Sequence, residues 1–90
     1  MNNKVNEKRK RLRYRSWHRG TKELDLILGK FSEQHLDTLS DIELENYEAI
    51  LESDEYDIYE WITGRKTIPS QHKNSVMAAI CAFRITDYDD

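Results

Sequence analysis

The side chains most able to do chemistry are few and widely separated along the chain. Cys81 is the single cysteine, and His18, His35 and His72 are spaced too far apart for a metal-binding signature. No histidine or asparagine follows Cys81 in an arrangement that would activate a thiol nucleophile. There is also no phosphate loop and no dinucleotide fingerprint. We therefore predict a protein that binds a larger molecule, not an enzyme, and we expect no metal.

The stretch from Arg19 to Asp25 joins a basic segment to an acidic one. Residues 1–22 hold nine Lys and Arg residues and one Glu, which gives a net charge of +8. The remaining residues hold five Lys and Arg residues and sixteen Asp and Glu residues, which gives a net charge of −11. Gly20 is suited to a turn between two helices, because glycine adopts the left-handed conformation without a steric penalty. Glu23 is placed to bind the amide of residue 20. Local physics predicts a turn with a capping acid.

Apolar residues recur at helical spacing along most of the chain and predict five helices. The predicted spans are residues 5–17, 22–35, 41–52, 55–63 and 71–86. Ser40 and Glu43 form a capping box at the start of the third helix, Gly64 ends the fourth, and Ser70 caps the fifth. Gly29 lies inside the second helix at a cost of about 1 kcal/mol relative to Ala, which indicates a kink or a close helix contact.

The expected fold is all-α, a single small five-helix bundle over residues 1–90 with residues 1–4 and 87–90 frayed. The composition, 38% hydrophobic and 34% charged, is too apolar for a disordered chain and too charged for a membrane span. No apolar stretch follows the basic start, so we expect no secretory signal. A lone cysteine fits a reducing compartment. The bacterial cytoplasm is the expected location, with the mitochondrial matrix as the alternative.

Three segments, in order along the chain, follow a known pattern. Residues 19–23 read RGTKE, residues 24–31 read LDLILGKF, and residues 51–62 read LESDEYDIYEWI. They resemble the RGxxE, ELDLLLGxF and LLExxDxDLxxWL segments of the SdhE-type succinate dehydrogenase assembly factors. Ile58 and Ile62 stand where that pattern has leucines. The resemblance spans residues 15–63 and leaves out the basic segment and the last helix.

This resemblance implies a five-helix bundle that promotes covalent attachment of FAD to the flavoprotein subunit of succinate dehydrogenase, and of fumarate reductase in some bacteria. A histidine of the partner would attack the C8 methyl carbon of the isoalloxazine through a quinone-methide tautomer. FAD would thus be carried by the partner, and the factor would hold no cofactor stably. The partner-binding residues implied are Arg19, Gly20 and Glu23, then Asp25, and beside them Tyr14, Trp17 and His18.

Alternative functions would use the basic segment. A nucleic-acid-binding or regulatory protein would contact phosphates with it, and its binding would fall steeply with salt. An antitoxin-like protein would bind a membrane-associated toxin. Alternatively, the segment packs on the acidic bundle or steers it to the flavoprotein. The assembly-factor interpretation ranks first, and it carries the expectation of a monomer with neither nucleic-acid binding nor membrane insertion.

Overall fold

A computed structural model describes residues 3–84 of the chain. The helices are α1 Asn3–Trp17, α2 Lys22–His35, α3 Asp41–Leu51, α4 Glu55–Ile62 and α5 Ser75–Phe83. Two short 3₁₀ turns, Leu36–Thr38 and Ser70–His72, follow α2 and precede α5. The described part of the chain contains no strand, so the prediction of an all-α five-helix bundle is confirmed. Of the ends predicted to be frayed, residues 3 and 4 belong to α1, whereas residues 1, 2 and 87–90 lie outside the described residues.

One apolar core joins all five helices. Its largest members come from different elements: Leu12 from α1, Phe31 from α2, Tyr47 from α3, Trp61 from α4 and Phe83 from α5, each at most 8% exposed. Burial of apolar surface stabilises a fold by roughly 25 cal/mol per Å². The helices are therefore held by one shared interior, and α1, despite its basic sequence, is part of it.

The start of α3 has the predicted capping box, and α4 also begins at a side-chain cap. The Ser40 side chain accepts from the Glu43 amide at 3.2 Å, and the Glu43 carboxylate accepts from the Ser40 amide at 2.9 Å. Asp54 caps α4 by accepting from the Tyr56 amide at 2.8 Å. Gly64 has φ +80° just after α4, as expected of a glycine that ends a helix. These features are encoded by neighbouring residues.

The start of the last helix was predicted wrongly. Ser70, the predicted cap, lies instead in the 3₁₀ turn Ser70–His72, and α5 begins at Ser75. Asn74 is the cap of α5, because its side-chain oxygen accepts from the Met77 amide at 3.0 Å. The predicted end of this helix, near residue 86, lies outside the described residues.

A tertiary contact explains this difference. The His72 side chain is buried, with its ring centroid 5.2 Å from that of Trp61, and its Nε2 lies 3.3 Å from the Ser53 hydroxyl. To place His72 there, the chain passes through extended backbone at residues 73 and 74 before a helix can start. Periodicity along the sequence carries no information about this contact.

Gly29 allows α1 and α2 to approach closely. A Cβ atom at position 29 would lie 2.2 Å from Cδ2 of Trp17, so only glycine fits against this ring. The Trp17 indole also donates from Nε1 to the Glu33 carboxylate at 3.1 Å. Of the two expectations for Gly29, the close helix contact is therefore confirmed.

The basic side chains of α1 pair with the acidic part of the chain. Lys8 lies 3.0 Å from Glu48, Arg11 lies 3.5 Å from the same carboxylate, and Arg13 lies 3.0 Å from Asp37. Arg9 attaches α1 to the 3₁₀ turn after α2, since its guanidinium donates to the carbonyls of residues 36 and 39 at 3.2 and 2.8 Å. Packing of the basic segment on the acidic bundle, one of the alternatives considered, is what the structure shows.

Candidate partner-binding site

The turn between α1 and α2 is closed by Asp25. Gly20 has φ +107°, which confirms the predicted left-handed turn. The Arg19 amide donates to the Asp25 carboxylate, and the Asp25 amide donates to the Thr21 carbonyl at 2.9 Å. The prediction that Glu23 binds the amide of residue 20 is wrong. The residue at the N-cap is Thr21, which places Glu23 one position too early in the helix for a capping box.

The Arg19 side chain is directed into the protein. Its Nη2 donates to the Ser53 carbonyl at 3.1 Å, which joins the α1–α2 turn to the α3–α4 turn. Its Nε is buried, with no hydrogen-bond partner among residues 3–84. The positive charge of the Arg19 guanidinium also influences the Tyr47 hydroxyl, which forms a hydrogen bond with the Ser16 hydroxyl. Burial raises the pKa of Tyr47 well above its usual range, and Ser16 and Arg19 offset part of that rise.

A groove of about 200 Å³ lies beside this turn, between the start of α2 and α4. Its lining residues are Thr21, Glu23, Glu55, Tyr56 and Tyr59. Gly20 lies next to the lining residue Glu55, because a Cβ atom at position 20 would be 3.1 Å from Oε2 of Glu55. The Tyr56 side chain is 71% exposed at the groove. The turn and the first turn of α4 therefore form one surface.

The Glu23 carboxylate faces Tyr59 across this groove. Hydrogen bonding to Glu23 raises the pKa of the Tyr59 hydroxyl, burial adds to the rise, and the nearby Arg65 and Arg84 guanidinium groups oppose it. The Tyr59 hydroxyl thus stays protonated at neutral pH and acts as a donor to the carboxylate. Glu23 is thus an exposed acid that faces a tyrosine of the neighbouring helix α4.

The remaining predicted residues fall into two groups. Tyr14 and His18 form an exposed stacked pair on the last turn of α1, with ring centroids 4.0 Å apart and His18 Nδ1 2.7 Å from the Tyr14 carbonyl. Trp17 instead packs its ring on Gly29 in the α1–α2 interface. The structure therefore places Gly20 and Glu23 at the groove. The side chains of Arg19 and Asp25 instead form hydrogen bonds within their own chain.

Glu55, Tyr56 and Tyr59 were not among the predicted site residues. All three lie within residues 51–62, the third segment of the resemblance, and in the helix predicted over residues 55–63. An available signal was Tyr56, a large aromatic residue off the apolar stripe of Ile58 and Ile62. Only the packing of α4 beside the α1–α2 turn shows that they join Glu23.

Other reactive groups give no competing site. Burial raises the pKa of the half-buried Cys81 thiol, opposite to what a nucleophile needs. Within residues 3–84 no three His, Cys, Asp or Glu side chains come together as metal ligands would. None of the helices in this range is both long and apolar enough to span a membrane.

Comparison with known proteins identifies the family. A family model described as the flavinator of succinate dehydrogenase matches residues 10–84. The chain belongs to this family. The flavinator match extends beyond the motif-based resemblance at both ends, to the second half of α1 and to α5. The close packing of α1 on the bundle and the contact of α5 with α3 are consistent with that extent.

Individual flavinator relatives come from mitochondria and bacteria. The chain is 41% identical over 78 residues to the mitochondrial succinate dehydrogenase assembly factor 2 of Candida glabrata, covering 83% of this chain and 51% of the relative. It is 39% identical over 64 residues to the FAD assembly factor SdhE of Acetobacter pasteurianus, covering 71% and 59%. The Danio rerio assembly factor 2 is 36% identical over 78 residues, covering 84% and 49%. The chain thus spans about half the length of these relatives.

Proposed function

We propose that this protein promotes covalent attachment of FAD to a histidine of the flavoprotein subunit of succinate dehydrogenase. The observation that carries the proposal is the match of residues 10–84 to the flavinator family. The exposed groove formed by Gly20, Glu23 and α4 is the surface on this chain that suits partner contact. The flavoprotein of fumarate reductase is a second client in this proposal, and the protein acts as a monomer in a bacterial cytoplasm.

The protein acts by positioning and not as a catalyst. The groove, about 200 Å³, is smaller than the roughly 300–1,000 Å³ of ordinary small-molecule sites, which favours contact with a partner over cofactor binding at this place. In this proposal FAD is carried by the flavoprotein. The reacting histidine also belongs to the partner. What this chain supplies is a rigid surface, braced by the Arg19–Ser53 hydrogen bond, that holds the flavoprotein in the conformation in which its histidine reaches the flavin.

The basic segment gives little support to a nucleic-acid-binding function. Lys8, Arg9, Arg11 and Arg13 all bind acidic side chains or carbonyls of the same chain. A nucleic-acid-binding surface needs such groups free to contact phosphates. Their role in α1 is to attach this helix to the rest of the bundle.

The proposal is tested by covalent flavin on the flavoprotein subunit, measured as in-gel fluorescence after denaturation. Cells lacking this protein are complemented with the wild type, Gly20→Ala or Gly64→Ala. Both glycines have positive φ, +107° and +80°, so both substitutions strain the backbone. A Cβ atom at position 20 would come close to Glu55, which lines the groove. A Cβ atom at position 64 would have no other atom within 4 Å.

We expect the deletion to abolish the fluorescence, Gly20→Ala to remove most of it and Gly64→Ala to retain it. Full fluorescence in the deletion strain would overturn the proposed function. Equal losses in the two glycine variants would instead assign the effect to stability and not to the groove.

A further inference from the structure

We propose that the groove lined by Thr21, Glu23, Glu55, Tyr56 and Tyr59 receives the guanidinium of an arginine side chain of the flavoprotein subunit. This inference rests on the proposed function and adds to it the chemistry of the contact. It assigns a binding role to α4, which the motif-based prediction of partner contacts did not include.

The charge of the groove calls for a cation from outside the chain. It holds two carboxylates, Glu23 and Glu55, and neither forms an ion pair within residues 3–84. Arg19 lies in the α1–α2 turn, but its guanidinium donates a hydrogen bond to the Ser53 carbonyl. The charges of Arg65 and Arg84 act on Tyr59, but neither guanidinium forms an ion pair with Glu23 or Glu55 within residues 3–84, and Arg65 lies 3.8 Å from Glu60. The two groove acids are thus left for a partner's charge.

The aromatic walls favour guanidinium over ammonium. Tyr56 is 71% exposed and Tyr59 is half-buried, so both rings are accessible in the groove that also holds the two carboxylates. A planar guanidinium stacks on tyrosine while its five N–H groups donate in fixed directions to carboxylates. A lysine ammonium is a strongly hydrated point charge that gains less from such walls. The lining therefore matches arginine.

The size and rigidity of the groove fit one side chain. Its volume of about 200 Å³ is below that of ordinary cofactor and metabolite sites. Tyr59 faces the Glu23 carboxylate across the groove, and Glu55 lies beside Gly20, where an added Cβ atom would come within 3.1 Å of its Oε2. Both acids are consequently placed before the partner arrives, which lowers the entropy lost on binding.

The test measures binding of the purified full-length protein to the flavoprotein subunit by calorimetry across a series of NaCl concentrations. The variants are Glu55→Gln, which keeps the shape but removes the charge, and Tyr56→Leu, which removes the ring. Glu45→Gln is the matched control, because Glu45 is an exposed acid on α3, away from the groove. Circular dichroism confirms that all three variants are folded.

We expect Glu55→Gln to weaken binding about ten- to a hundredfold, as loss of a charge-assisted hydrogen bond does, and to flatten its salt dependence. Tyr56→Leu should also weaken binding, and Glu45→Gln should leave it within about twofold of the wild type. Wild-type binding with no effect of Glu55→Gln would overturn the guanidinium site alone. Failure of the wild type to bind the flavoprotein would instead overturn the proposed function.

A second measurement tests the groove without the flavoprotein. Arginine methyl ester and lysine methyl ester carry the same charge and are titrated into the wild type while the ring signals of Tyr56 and Tyr59 are followed by NMR. Arginine methyl ester should shift these signals at lower concentration than lysine methyl ester, and Glu55→Gln should abolish the difference. Equal shifts with the two esters would contradict a site selective for guanidinium.

Discussion

Arg19, Gly20, Glu23 and Asp25 are neighbours in sequence but have different roles in the structure. Gly20 and Glu23 contribute to the exposed groove, whereas the Arg19 guanidinium and the Asp25 carboxylate bind their own chain. Substitution of Arg19 or Asp25 would therefore disturb the turn, even if neither side chain touches a partner. An assay of partner binding alone would not separate these roles, so stability must be measured beside it.

Gly29 is the position where a single methyl group should have the largest effect on packing. Gly29→Ala should destabilise the protein by about 1–3 kcal/mol, because the Trp17 ring must move away from the new Cβ atom. In a Trp17→Ala background the same change should stabilise by up to about 1 kcal/mol, since Ala favours the helix more than Gly does. Urea unfolding midpoints of the four proteins measure the cycle. An effect of the same sign in both backgrounds would refute the contact.

Side-chain caps set the starts of three of the described helices. Ser40, Asp54 and Asn74 each accept a backbone amide at the start of α3, α4 and α5. The N-cap of α2, Thr21, makes no such bond, and the α1–α2 turn is closed instead by Asp25. The start of α2, at the candidate site, is thus fixed by an acid of its own first turn and not by the side chain of its N-cap residue.

The corrected start of α5 is tested by comparing two caps. Asn74→Ala should destabilise the protein by about 1 kcal/mol, because the Met77 amide loses its acceptor. Ser70→Ala should change the free energy of unfolding by less than about 0.5 kcal/mol, as an exposed substitution does. Urea unfolding followed by far-UV circular dichroism reports both values. The reverse order would support the helix start predicted from the sequence.

At the scale of the whole molecule, the opposite charges of the two segments stabilise the fold. The basic side chains of α1 meet Glu48 on α3 and Asp37 in the 3₁₀ turn after α2. Hydrogen bonding to Lys8 is the main cause that lowers the pKa of Glu48 below its usual 4.5, and Arg11 contributes further. This separation of charge brings helices together inside one chain and needs no external ligand.

The stability of the fold should fall in acid partly through Glu48. A carboxyl whose pKa is lowered on folding stabilises the native state above its unfolded pKa, and this contribution is lost as pH falls through 4.5 toward the lower folded value. Glu48→Gln should therefore be about 0.5–1 kcal/mol less stable than the wild type at pH 7. The difference should shrink below pH 4.5 and in high salt. Glu45→Gln, at an exposed acid on the same helix with no ion pair within residues 3–84, should change the stability at pH 7 by less than about 0.5 kcal/mol.

The sequence by itself determined the helical class, the bounds of α2 and the starts of α3 and α4. Those features depend on residues within one or two turns of each other, such as Ser40 with Glu43, and such short-range patterns survive in any compact fold. The three motif segments likewise pointed to the family that the comparison then identified. Local chemistry was sufficient for all of these predictions.

Only the tertiary structure decided the start of α5, the direction of Arg19 and the composition of the groove. His72 packs on Trp61, Arg19 reaches Ser53, and Glu23 faces Tyr59, and each of these pairs is far apart in sequence. Whether such side chains meet depends on how the helices pack around the shared core, which no single helix encodes. The α1–α2 turn of the candidate site could therefore be predicted from the sequence. The opposite wall of the groove, on α4, could not, because it forms only when α4 packs beside that turn.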